Sequence, residues 1–246
     1  MAKSIFITGG TSGIGLAVAK VYKDRGFRVA ICGRNQEVLN EYSSVYEVFK
    51  VDVTNLSQVE FAIKNFAEGG LDIVYANAGI GYEHKKRLPD FDRARQIVDI
   101  NINGVLNTFE VATNIFLENG HGHLVATASI AGFNGLPGVP AYSGSKSAII
   151  KICESLRLDL KHRNINVTCV CPGFVDTPLT KKNPHSMPFL TSPEDIALKI
   201  YEGVDKNKRN ILYPRLFARV VLLLSFLPRV LYDKIVSKPS LDYSKE

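Results

Sequence analysis

Apolar positions along this chain follow two rhythms. Short runs rich in β-branched residues (Ser4 to Thr8, Arg28 to Cys32, Tyr46 to Val51, Leu71 to Ala76, His123 to Ala128 and Asn166 to Cys171) read as strands. Between them, Gly13 to Arg25, Leu56 to Ala67, Asp90 to Leu117 and Ala141 to His162 carry apolar residues at helical spacing. Strand and helix in regular alternation predict βαβ crossovers and therefore an α/β chain built on a doubly wound parallel sheet. No internal repeat or low-complexity tract interrupts the pattern, so one domain accounts for residues 1–213.

Two segments break the rhythm. Gly173 to Ser192 contains Pro178, Pro184 and Pro188, with Pro193 just beyond, and has no clear period. An irregular stretch of that length inside a compact domain is usually functional. The second segment lies in residues 214–246. There Leu216, Phe217, Val220, Val221, Leu223, Leu224 and Leu227 cover more of a helix than the roughly 100° stripe of a surface helix, and Leu222 and Phe226 fall on the side of Arg219. Pro228 should end or kink that helix, and Val230 to Val236 begins a second short one.

Composition excludes a collagen, a disulfide-dense module and a disordered chain, each of which needs a bias absent from these 246 residues. Charge becomes informative once it is located. The net +6 arises from a neutral body, with 21 basic and 21 acidic side chains in residues 1–205, and a basic stretch, residues 206–238, with eight Lys and Arg against Asp233 alone. That distribution does not resemble the spread basic groove of a nucleic-acid binder, and no nucleic-acid partner is expected. The first ten residues lack the pattern of a signal peptide, and Val220 to Leu227 is far shorter than the roughly 20 apolar residues that span a bilayer. The expected location is the cytoplasm. Cys32, Cys153, Cys169 and Cys171 form no C-x-x-C pair and read as small buried residues, and no metal site is expected.

The first strand runs into Thr8-Gly9-Gly10-Thr11-Ser12-Gly13-Ile14-Gly15, which opens directly into a helix. Glycines there permit a tight turn and bring backbone N–H groups of Gly9, Thr11, Ser12, Gly13, Ile14 and Gly15 toward a pyrophosphate at the positive end of the helix. A strand-to-helix turn without a ligand has the same local composition; position after the first strand favours a dinucleotide. The second strand of such folds normally ends in an acidic residue that binds the adenosine ribose. Here Gly33 and Arg34 stand in its place, so a 2′-phosphate meets no repulsion and gains a guanidinium. The chemistry favours NADP(H) over NAD. Asp52 and Val53, after the third strand, suit the adenine, although Asp52 also competes with Thr54 and Asn55 to cap the following helix.

Tyr142 and Lys146 are four residues apart in Tyr142-Ser143-Gly144-Ser145-Lys146, so they share a helix face. A neighbouring ammonium is expected to lower the phenol pKa toward neutrality and make Tyr142 a general acid or base. Ser129 ends the fifth strand, beyond which ligands collect in open α/β sheets.

With these motifs in order, the chain resembles the short-chain dehydrogenase/reductase family from Lys3 to about Pro178. The elements are the glycine turn Thr8 to Gly15, Asn77-Ala78-Gly79, Asn101, Ser129, Tyr142 with Lys146, and Pro172-Gly173 followed by Thr177. Ala76 departs from the second Asn often found before the N-A-G element. The resemblance implies a Rossmann-like sheet of about seven strands and a hydride transfer between NADP(H) and a carbonyl or alcohol substrate. It implies that Tyr142 exchanges the proton, Lys146 lowers its pKa and binds the nicotinamide ribose, Ser129 binds the substrate oxygen, and Asn101 holds a relay water. Asn77, Ala78, Gly79, Pro172, Gly173, Val175 and Thr177 join the cofactor set on the same ground. Sugar-nucleotide epimerases share the Tyr and Lys spacing but resemble a longer chain with a different glycine motif. A non-catalytic NADP sensor on the same fold is the competing reading; it has no need of a proton donor.

The resemblance also places the 173–192 loop over the substrate, where Met187, Phe189 and Leu190, with Phe133, Leu136 and Phe174, suggest an apolar carbonyl compound. His84-Lys85-Lys86-Arg87 reads as a solvated loop. His121 and His123 lack a third ligand, and Lys181 and Lys182 read as exposed. For the extension at 214–246, three destinations compete: a second copy of the chain, a cap over the pocket, or an anionic membrane touched through 214–238. A homo-oligomer or cap is the favoured expectation, because burial within protein is the commoner fate of an apolar helix.

Overall fold

The structure is a computed structural model that describes residues 2–81, 90–181 and 187–236. Seven parallel strands form one sheet: β1 (Ser4–Thr8), β2 (Arg28–Gly33), β3 (Glu47–Lys50), β4 (Ile73–Ala76), β5 (Gly122–Thr127), β6 (Ile165–Pro172) and β7 (Asn210–Tyr213), in the order β3-β2-β1-β4-β5-β6-β7. β1 pairs with β2 on one side and β4 on the other, with Ile5 opposite Val29 and Ile73. The chain therefore reverses its winding at β1 and β4, and the crevice at that switch opens at the carboxyl ends of the strands.

Helices cover both faces, which is why the central strands are apolar throughout. Alternate residues of β1 divide between the two cores. Phe6 packs with α3 (Leu56–Ala67), α5 (Gly104–Asn119) and α6 (Pro140–Asp159). Ile5 and Ile7 pack with α1 (Gly13–Lys23), α2 (Gln36–Tyr42) and α7 (Pro193–Asp205). Local capping explains several boundaries. Asn55 accepts the Gln58 N–H at 3.1 Å to start α3, and Ser192 accepts the Asp195 N–H at 3.0 Å to start α7. Asp52 is therefore not the α3 cap; its carboxylate instead accepts from the Thr54 N–H and hydroxyl.

The expectation of one continuous helix over Asp90 to Leu117 is corrected. α4 (Phe91–Val98) and α5 are joined by a π-helical turn, Asp99–Asn103, which inserts extra backbone at Asn101. All four cysteines are buried thiols, and the Sγ atoms of Cys169 and Cys171 are 3.8 Å apart on β6. Beyond β7, α8 (Arg215–Leu224) ends at Ser225, four residues after Val221 and before Pro228, and α9 (Arg229–Val236) follows. No helix among the described residues is long and apolar enough to cross a membrane.

Candidate active site

The site is assembled from loops at the carboxyl ends of the strands. After β1, Gly9 and Gly13 adopt φ of 62° and 53°, a conformation that disfavours any side chain. A Cβ on Gly9 would also stand 2.8 Å from the Cα of Ala78, so the glycine turn and the loop after β4 touch backbone to backbone. Ser12 precedes α1 in extended conformation and makes no side-chain cap bond. The first-turn N–H groups at Gly13, Ile14 and Gly15 thus carry no side-chain cap from Ser12, and they fit the phosphates of a dinucleotide.

Asn77 ties this turn to the sheet. Its amide donates to the carbonyls of Thr8 and Gly9, each at 3.2 Å, and its Oδ1 accepts from Thr127 at 3.0 Å. The Thr8 hydroxyl accepts the N–H groups of both Asn77 and Ala78 at 3.0 Å. The side chain of Asn77 therefore serves the scaffold. Thr8 belongs to the glycine turn read from the sequence, whereas Thr127 carries no distinguishing signal there.

At the end of β2, Gly33 is followed by exposed Arg34, and the cap of α2 is Asn35, whose side chain accepts the Glu37 N–H at 2.9 Å. Arg34 is free of that capping role. Its charge, after the Thr54 hydrogen bonds, helps hold the Asp52 carboxyl below its usual range. A cation therefore stands at the rim of the adenosine side with no acidic residue at the end of β2, which fits a phosphorylated ribose. Val53, buried beside Gly104, accepts the Asn107 amide on its carbonyl at 2.9 Å.

The four chemical residues converge across three elements. Ser129, buried after β5, accepts the Ala131 N–H at 3.1 Å on its Oγ and donates to the Pro172 carbonyl at 3.4 Å. Lys146 is buried one turn along α6, and its Nζ donates to the Thr127 carbonyl at 2.8 Å. The π-helical turn aims Asn101 at the same place. Its Oδ1 accepts the Ile80 N–H at 2.8 Å, while its amide donates to the Ile80 carbonyl at 3.0 Å and to the Ser145 hydroxyl at 3.1 Å. Ser145 in turn donates to the Tyr142 carbonyl at 2.8 Å, a link the Tyr-to-Lys spacing concealed in its own interior. Gly79 lies beside both Asn101 Oδ1 and Lys146 Nζ.

The electrostatics differ from the sequence expectation in one respect. Lys146 Nζ is 5.7 Å from the centre of the Tyr142 ring and hydrogen-bonds elsewhere. Burial pushes the Tyr142 phenol above its usual value, opposed only by the Ser129 hydrogen bond, and burial lowers Lys146 to about 8. The Lys146 ammonium is not among the influences on the phenol, which answers to burial and to Ser129.

The segment after β6 closes over the crevice. Gly173 N–H donates to the Tyr213 carbonyl at 2.7 Å, next to Pro172, whose carbonyl accepts from Ser129 at 3.4 Å. Val175 is buried and bridges Thr191, while Thr177 is buried against Gly13 and the exposed Leu179 lies beside Gly81. Phe217 of α8 stacks between Phe174 and Phe189, with ring centres at 6.3 and 5.4 Å. One side of α8 thus covers Phe174 and Phe189 in the loop after β6. The neighbouring 134–135 turn is held from α9: Tyr232 donates to the Gly135 carbonyl at 2.7 Å, and Arg229 to Asn134 at 3.4 Å. Phe133 packs on the main core, Leu136 is exposed, and Met187 is half-buried.

Other candidates resolve individually. His123 is buried, and its Nε2 lies 2.8 Å from the Thr168 hydroxyl; His121 is exposed, 3.6 Å from Asp72. Lys181 is exposed. His84 to Arg87 and Lys182 lie outside the described residues.

Residues 3–188 match the short chain dehydrogenase family. An uncharacterized oxidoreductase of Myxococcus xanthus is 35% identical over 241 residues, covering 94% of this chain and 95% of that protein. One from Staphylococcus aureus is 36% identical over 214 residues, covering 84% and 92%. Among solved structures, a short chain dehydrogenase of Burkholderia cenocepacia in complex with NADP superposes with a TM-score of 0.85 over 97% of this chain and 98% of that one, at 21% identity. A 3-ketoacyl-(acyl-carrier-protein) reductase of Brucella melitensis complexed with NADH gives 0.79 over 87% and 98%, at 22% identity. At those identities the two structures speak for the fold, which is Rossmann-like; the family match and the relatives go further, and this chain is a member of the short-chain dehydrogenase/reductase family of oxidoreductases.

Proposed function

We propose that this chain reduces an apolar ketone or aldehyde with NADPH, with Tyr142 as the proton donor. The observation that carries the reading is the convergence of Tyr142 with buried Ser129 and buried Lys146, whose Nζ lies 5.7 Å from the centre of the Tyr142 ring. A phenol that keeps its proton at neutral pH is equipped to give it to a carbonyl oxygen. When bound, the dinucleotide supplies the hydride; the protein supplies position and the proton. Ser129, set by the Ala131 N–H and the Pro172 carbonyl, binds the same oxygen and fixes it toward Tyr142. As the proton leaves, the charge that develops on the phenol is favoured by the Lys146 ammonium on the next turn of α6. Asn101 locks the Ile80 backbone and Ser145, and so sets α6 against the loop after β4; a water beside Asn101 is the proposed source of the replacement proton.

NADP preference rests on Arg34 with Gly33, and on Asn35 rather than Arg34 serving as the α2 cap. Gly9, Thr11, Ser12, Gly13, Ile14 and Gly15 are assigned to the phosphates, Asp52 and Val53 to the adenine end, and Ala78, Gly79, Pro172, Gly173, Val175 and Thr177 to the nicotinamide side; Asn77 orders the turn. Phe174, Phe189 and Phe217 supply the apolar rim of the substrate region. Residues 1–213 form the proposed catalytic domain and 214–246 a proposed extension, of which α8 and α9 pack on that domain. Outward Leu106 and Leu117 on α5 and Leu158 on α6 support assembly with a second copy. A panel of apolar ketones and aldehydes, followed by consumption of NADPH and of NADH, tests the reading: faster turnover with NADPH is expected, and nucleotide binding without turnover across the panel would favour the sensor instead.

A further inference from the structure

The side of α8 that turns away from Phe217 has no protein cover among the described residues. Leu216, Val220 and Leu223 follow one another at intervals of four and three along the helix and are 76%, 48% and 66% exposed. Beyond the helix end, Phe226 is 78% exposed at the corner before α9, and Val230, Leu231 and Ile235 continue the apolar surface, with Val230 at 69%. Basic side chains border it: Arg215 and Arg219 lie one turn apart along the flank of the stripe, and Arg229 and Lys234 are exposed on α9. Asp233 is the sole acidic residue in 206–236. The corner is not loosely hung, since Tyr232 anchors α9 on Gly135 and the Asn134 amide donates to the Val221 carbonyl at 3.4 Å.

The sign of the charge selects the occupant. Self-association through this face about a twofold axis would return each arginine to a surface of the same sign. A bilayer surface bearing anionic headgroups accepts the Leu and Phe side chains at the headgroup boundary and attracts the cations around them. We propose that the outer face of α8 and the Phe226 corner dock on an anionic lipid surface. The same helix packs its inner side on Phe174 and Phe189, so docking brings the substrate loop to the lipid boundary. This binding goes beyond the reaction and does not depend on turnover.

The chain contains no Trp, so Phe226→Trp introduces a single fluorescent reporter at the corner. On mixing with vesicles of phosphatidylcholine and phosphatidylglycerol, its emission should shift to the blue, with no shift on phosphatidylcholine alone. Co-sedimentation of the unaltered protein with the mixed vesicles should weaken from low to physiological salt. It should fall by about tenfold or more in Arg215→Glu/Arg219→Glu and in Leu223→Asp/Phe226→Asp, each checked for native circular dichroism. Absence of a blue shift together with no sedimentation at either salt would overturn the proposal. So would equal binding to neutral vesicles, or a solution dimer that Leu223→Asp/Phe226→Asp dissociates while neither protein binds lipid.

Discussion

Lys146 directs its ammonium at the Thr127 carbonyl, 2.8 Å away, rather than at the Tyr142 ring, whose centre is 5.7 Å distant. A buried cation with one protein acceptor is poorly compensated, and its pKa of about 8 against an ordinary 10.5 expresses that penalty. The folded state therefore binds this proton less tightly than the unfolded chain does. The penalty is complete below pH 8 and relieved as pH rises through the window from about 8 to 10.5. Lys146→Met should stabilise the protein without nucleotide by up to roughly 3 kcal/mol at pH 7, while abolishing turnover. Urea unfolding at pH 7 and pH 10 checks this; the two proteins should converge at the higher pH.

Arg34→Ala should weaken NADPH relative to NADH by roughly tenfold to a hundredfold, the range of a lost charge-assisted hydrogen bond of about 1.5–3 kcal/mol. Dissociation constants for both nucleotides decide it, and equal effects on the two would remove the case for a 2′-phosphate contact.

His123 gives a second pH signature, away from the site. The Thr168 hydroxyl donates to the Lys208 carbonyl at 2.6 Å, so the ring Nε2–H must donate to Thr168. The imidazole pKa is lowered to about 4 by burial, from 6.5. The unfolded state takes up this proton first, so stability is lost as pH falls from 6.5 toward 4. A His123→Gln protein should show a shallower decline over that window in denaturant melts.

Asn101 satisfies both polar groups of Ile80 as well as Ser145. Asn101→Ala leaves those groups without their partner and should cost about 1–3 kcal/mol of stability, with a fall in kcat larger than any change in nucleotide affinity. Thermal melting and nucleotide titration measure the two effects separately.

Strongly periodic segments were legible in the sequence. Ser4 to Thr8 and Leu56 to Ala67 form a strand and a helix with those same bounds, because apolar spacing and the Asn55 cap agree there. The π-helical turn at Asn101 was not legible: the apolar period runs unbroken across Asp90 to Leu117, and one extra backbone unit leaves no compositional mark. α2, seven residues and mostly polar, and β7, four residues, are too short for periodicity to register. Spacing placed Tyr142 and Lys146 on one helix face and the resemblance supplied the rest of the proposed site, yet neither gave the direction of the Tyr142 shift, which depends on how the fold surrounds the phenol. α8 has one covered and one exposed side, a split that a projection of apolar residues all round does not reveal.

The most direct test of the central claim compares unaltered protein with Tyr142→Phe in single-turnover mixing of NADPH with an apolar ketone or aldehyde that the panel shows to be reduced. The account predicts equal NADPH dissociation constants for the two proteins and a rate of hydride loss about a thousandfold lower in Tyr142→Phe, within the usual range for a general acid. Comparable rates in the two proteins would contradict it.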